Sequence, residues 1–92
     1  MNRAIETINL TNIKIWKRQD KNGNDYFVVI DDNLQNDNAY FCFKGTAKGD
    51  WEKLEKNWES IKEIELKFIL NDRGNRRVIE IFVSDSESEF II

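Results

Sequence analysis

Apolar side chains recur at every second position along most of this chain, and at every third or fourth position in one stretch only. That change of period constrains the fold more than any other feature, because alternation marks strands with one buried face and the longer period marks an amphipathic helix. Ile8 and Leu10 keep one phase, Ile13 and Ile15 the next, and the phase slips by one at Thr11-Asn12. A strand that keeps its apolar residues on one face across such a slip needs a bulge, which predicts one long, bent first strand over residues 8–18. Lys21-Asn22-Gly23-Asn24 follows. Asn-Gly between strand-forming residues is the strongest short hairpin signal, since both central residues of a type I′ turn need positive φ. The second strand is then 25–31.

A two-residue turn at Asn22-Gly23 pairs Ile15 with Ile30 and Lys17 with Val28, so Ile13, Ile15, Tyr26, Val28 and Ile30 form the expected core face. The outer face pairs Lys14 with Asp31, Trp16 with Val29 and Arg18 with Phe27. Residues 32–38 read as a polar loop and 39–44 as a third strand made mostly of aromatics. In that strand either Phe41 and Phe43 or Tyr40 and Cys42 turn inward. The preference of Lys44 for water favours Tyr40 and Lys44 outward, against the usual burial of a free cysteine.

Gly49-Asp50 opens a helix with Asp50 as N-cap, and Trp51, Leu54, Trp58 and Ile61 form its inward stripe over three turns or more. Glu52, Lys53, Glu55, Lys56, Glu59, Lys62 and Glu63 make the solvated side. From Ile64 the period returns to two for a fourth strand ending near Asn71. Asn71-Asp72-Arg73-Gly74-Asn75 is a turn cluster, and an even-numbered loop there places Ile79, Ile81 and Val83 of a fifth strand, about 76–83, on the face of Leu66, Phe68 and Leu70. One domain over residues 1–83 is expected, with 84–92 as a short acidic tail with an apolar end.

Composition narrows the chemistry. The 92 residues include no histidine and one cysteine, which removes Ser-His and Cys-His nucleophilic pairs, imidazole ligands and thiolate zinc sites. No glycine-rich phosphate loop or EF-hand spacing occurs, and the carboxylates sit in polar surroundings. The expectation is a protein that is not an enzyme, with no catalytic residue, no metal and no cofactor. The longest apolar run, 26–30, is far short of the ~20 residues a spanning helix needs. Residues 1–6 lack the apolar stretch of a secretory signal, so a cytoplasmic location is expected.

The element order, three strands, a helix and two strands with a bulged first strand, resembles the OB-fold, a mainly β five-stranded Greek-key barrel. The resemblance covers residues 5–83, nearly the whole chain, and rests on element order and the bulged first strand, with no diagnostic motif. It implies binding on the outer face of the second and third strands, flanked by the loops joining strands one to two and four to five. Those loops and their approaches carry Lys17, Arg18, Lys21, Arg73, Arg76 and Arg77, while the acid concentrates in 31–43, on the helix and in the tail, so a chain of net charge −3 still offers a locally positive groove. Single-stranded nucleic acid needs cations for its phosphates and exposed rings for its bases. The expected contacts are Lys14, Trp16, Arg18, Lys21, Phe27, Tyr40, Lys44, Arg73, Arg76 and Arg77.

The tail, with Asp85, Glu87, Glu89, Phe90 and Ile92, resembles the acidic terminal peptides with which bacterial and phage single-strand DNA-binding proteins dock onto partner enzymes, which implies a protein partner there. Two functions follow as expectations. One is a small protein that binds single-stranded DNA or RNA without catalysis. The other is a phage- or plasmid-type protein-binding module that uses the same rings as anchors or its acidic helix as a docking surface.

Overall fold

The phase slip at Thr11-Asn12 divides the first strand. In a computed structural model, which describes residues 4–32 and 38–83, β1 (Glu6–Leu10) and β2 (Ile13–Gln19) lie on either side of it. They take different partners. β1 runs antiparallel to β6 (Ile64–Leu70), whereas β2 runs antiparallel to β3 (Asp25–Asp31). With β4 (Ala39–Phe43), the two-residue β5 (Lys48–Gly49), α1 (Trp51–Asn57) and β7 (Arg76–Val83), the chain is mainly β with one helix. The strands form one sheet of seven in the order β1-β6-β7-β4-β3-β2, with β5 alongside β7, and the hydrogen-bonded path is not closed. β4 and β5 pair with β7 in parallel, and every other pairing is antiparallel. Among the described residues no helix is long and apolar enough to cross a membrane.

The register of the first hairpin differs by one from the expected one. Gln19 stands opposite Asp25 and Ile15 opposite Val29, because the loop is not a two-residue type I′ turn. The Asp20 carboxylate accepts the N–H groups of Asn22 (2.8 Å) and Asn24 (2.9 Å), and the Gly23 N–H donates to the Asp20 carbonyl at 3.1 Å. This is the pattern of a turn that needs one residue at positive φ, and Gly23 supplies it at 83°. A one-residue slip exchanges the faces of a strand. Phe27, expected outside as a base-stacking ring, is therefore 0% exposed, while Tyr26, Val28 and Ile30 take the outer face.

The second hairpin shows the same effect. Its loop, 71–75, is odd in length, so Val78 stands opposite Phe68 in the core in place of Ile79. A bulge between Lys67 and Phe68 leaves Ile79 without a direct partner and restores the expected phase for Ile81, opposite Leu66. Leu70, expected inside, is 46% exposed.

The core lies between the inner face of the sheet and the helix. Phe27 packs against Trp51 and Trp58, with ring centroids 5.4 and 6.1 Å apart, and Tyr40 meets Phe68 edge-on at 5.1 Å. Trp51, Leu54 and Ile61 are buried with Trp58 packed against them, and the seven charged residues of the other side are exposed, as the stripe requires. The helix itself is shorter than the periodicity suggests, since the chain leaves it after Asn57. In β4 Tyr40 and Cys42 point inward, opposite to the preference drawn from Lys44. Lys44 follows the end of the strand, so it reaches water whichever way the strand faces. Asp50 occupies the N-cap position but makes no side-chain cap. Its carboxylate accepts the Val83 N–H at 2.9 Å and its own N–H donates to the Ile81 carbonyl, so it ties the helix start to β7.

Candidate nucleic-acid interface

The registers of β2, β3, β4 and β7 set out the outer face residue by residue. Trp16 is opposite Val28, Val28 opposite Phe41 and Phe41 opposite Arg77. That row spans three strand spacings, about 14 Å. Two positions along, Arg18, Tyr26 and Phe43 form a second row, and Lys14, Ile30 and Ala39 a third on the other side. Four aromatic rings and three cations thus share one face. Trp16 is 52% exposed, Tyr26, Phe41 and Phe43 are half-buried, and Tyr26 stacks on Phe43 with centroids 4.9 Å apart.

Arginines lie over these rings. The Arg18 guanidinium is 5.5 Å from the Trp16 ring centre and that of Arg77 is 5.0 Å from Phe43, within the range of cation–π attraction. Among the described residues no ion pair is seen at Arg18, Arg73, Arg76 or Arg77. Lys14 sits 3.9 Å from Asp32 with both groups exposed, a contact of little strength.

The end of the face opens into a cleft of about 430 Å³ between Tyr26, Phe41 and Phe43 on one wall and the 71–77 segment on the other. Arg73, Arg76 and Arg77 line it together with Asn71, Asp72 and Asn75. The 20–24 loop borders a neighbouring hollow that also touches Phe43, Lys44 and Arg77. Both hairpin loops therefore reach the edge of the same aromatic face. Asp20 is held below the usual carboxylate range, mainly by the Asn24 N–H it accepts, which keeps that loop's clasp ionised.

Of the residues expected to contact nucleic acid, Lys14, Trp16 and Arg18 share the outer face, Arg73, Arg76 and Arg77 line the cleft, Lys44 lines the neighbouring hollow and Lys21 is exposed on the 20–24 loop. Phe27 and Tyr40 belong to the core. Arg76 still lies over the Tyr40 ring, 5.7 Å from its centre, and burial raises the Tyr40 hydroxyl above its ordinary pKa while Arg76 opposes the shift. Of the rings that replace them, Tyr26 was expected in the core and Phe41 and Phe43 outward were the less favoured of the two facings of that strand, while Asn71 was read only as part of a turn. A signal for Tyr26 existed. Asp20-Lys21-Asn22-Gly23-Asn24 and Asn71-Asp72-Arg73-Gly74-Asn75 share an Asp or Asn first, Gly fourth and Asn fifth, a pattern that gives both loops an odd length and, in the first hairpin, turns Tyr26 outward. Asp85, Glu87, Glu89, Phe90 and Ile92 lie outside the described residues.

Among the described residues no three of Cys, Asp and Glu are grouped so as to hold a metal ion. Comparison with family models, with curated proteins and with solved structures yields no match. What the surface offers chemically is a set of flat apolar ring faces beside fixed cations, suited to stacking and to neutralising phosphate.

Proposed function

We propose that this protein binds single-stranded nucleic acid, DNA or RNA, without catalysis, on the outer face of β2, β3 and β4, with the 71–77 segment closing one end. The observation that carries the reading is the register itself, which collects Trp16, Tyr26, Phe41 and Phe43 with Lys14, Arg18 and Arg77 on one face. Stacking of a base on such a ring is worth roughly 1–3 kcal/mol and tolerates any base, while arginines bind the backbone through charge. A duplex hides its base faces, so the rings favour single strands.

The OB-fold reading supports this function. The two ends of the hydrogen-bonded path, β1 and β2, are consecutive in the chain and joined through Thr11-Asn12. Counting them as one bent strand and setting aside β5 leaves five strands around a core capped by the helix, the arrangement of a partly open Greek-key barrel. In that fold the interface occupies this face and is flanked by these two loops.

The net charge of −3 favours a second reading, a protein-binding module that uses the same rings as anchors. Titration with single-stranded oligonucleotides, a matched duplex and a salt series separates the two. Binding of single strands in preference to duplex, weakening as salt rises, supports the first reading. No binding of any single strand at low salt transfers the face to a protein partner.

A further inference from the structure

The two hairpin loops are built alike and differ in the functional group that clasps them. In each, the first residue's N–H donates to the carbonyl of the fifth at 2.9 Å, and the glycine N–H donates back to the carbonyl of the first. In each, a side-chain oxygen of the first residue accepts the N–H groups of the third and fifth, from Asp20 in one loop and from Asn71, at 2.9 Å twice, in the other. A backbone N–H needs an acceptor, so Oδ1 is the Asn71 atom turned into the loop and its NH₂ is the arm left over. Among the described residues that NH₂ has no hydrogen-bond partner. Asn71 lines the cleft that Tyr26 and Phe43 share with Arg73, Arg76 and Arg77.

We propose that Asn71 selects the base seated in this cleft and favours one that presents ring carbonyls, thymine or uracil, over adenine. The inference rests on the nucleic-acid reading of the face. An amide NH₂ only donates, and the guanidinium groups around it only donate as well. Thymine and uracil place carbonyl oxygens on both sides of their N3–H, so either can accept. Adenine turns an exocyclic amine, a donor, toward the Asn71 NH₂ and offers it only ring nitrogens to accept. The rings below hold any base by stacking and the arginines are taken up by backbone phosphate, so the discrimination falls to the Asn71 arm.

The fold contains its own control. Asp20 holds the sister loop with a carboxylate, so Asn71→Asp keeps the loop while replacing the donor with an acceptor. The experiment measures Kd for short oligo-dT and oligo-dA with the wild type, Asn71→Asp and Asp20→Asn. The ratio of the two affinities cancels the uniform repulsion from the added charge and the different stacking of the two bases. The wild type favours dT. Asn71→Asp lowers that preference by about three- to tenfold, as loss of one hydrogen bond predicts, with its melting temperature kept. Asp20→Asn, which leaves the cleft wall unchanged, retains the wild-type preference. An unchanged dT-to-dA ratio in Asn71→Asp overturns the role of Asn71 while the nucleic-acid reading stands, and so does a collapse of its thermal stability. Failure of the wild type to bind either oligomer overturns both.

Discussion

Replacing Phe27 and Trp16 by alanine in turn tests the hairpin register on which the whole interface depends. Phe27 has no exposed surface and packs against two tryptophans, so its removal leaves a cavity under the helix and costs about 3–5 kcal/mol. For a domain of this size each kcal/mol lowers the melting temperature by about 4–8 °C, which places the loss at roughly 12–40 °C. Trp16 is 52% exposed and has Arg18 over its ring. Its removal sacrifices part of one exposed contact and costs below about 1 kcal/mol. Urea denaturation followed by circular dichroism reads both without relying on tryptophan emission. Equal costs, or a larger cost for Trp16→Ala, would refute the register, because a one-residue slip exchanges the two faces of the strand.

Gly49→Ala is expected to destabilise by at least about 1–2 kcal/mol in the same assay, because Gly49 has φ of 90° and a Cβ there meets the Ile81 carbonyl oxygen. The Cys42 thiol, pushed up to about 12 by burial, resists thiol reagents at pH 8 unless the protein is unfolded. Because its folded pKa lies above the unfolded value, its contribution to stability is complete below about pH 9 and is lost as pH rises toward about 12, which a pH series of unfolding curves checks. Arg77→Gln, measured by titration across salt, lowers the salt slope of single-strand binding by about 0.7 and weakens all sequences alike.

The strands at 25–31 and 76–83, the break at Thr11-Asn12 and the inward helix stripe were legible because each rests on local periodicity and a break in it. The facing of individual residues was not, since it depends on loop length. Asn22-Gly23 satisfies the chemistry of a two-residue turn, yet the Asp20 carboxylate recruits two backbone N–H groups and draws the loop to five residues. One residue of difference was enough to move Phe27 inside and Tyr26 outside. In β4 the deciding interaction is tertiary, the contact of Tyr40 with Phe68, and no local pattern reports it. The charged members of the interface were easier to find, because Arg73, Arg76 and Arg77 cluster in sequence and Lys14 and Arg18 keep their alternation with Trp16 in either register.

The most direct test of the central claim is a fluorescence titration with oligo-dT over a salt series. Trp51 and Trp58 are packed around Phe27, so Trp16 is the tryptophan placed to report a base arriving on the outer face. The account predicts quenching that is lost in Trp16→Phe although binding persists. It also predicts a slope of log affinity on log salt of about −2.8 if Arg18, Arg73, Arg76 and Arg77 each neutralise one phosphate. Absence of quenching together with absence of binding at low salt, in a protein whose Trp16 is accessible to a soluble quencher, would contradict it.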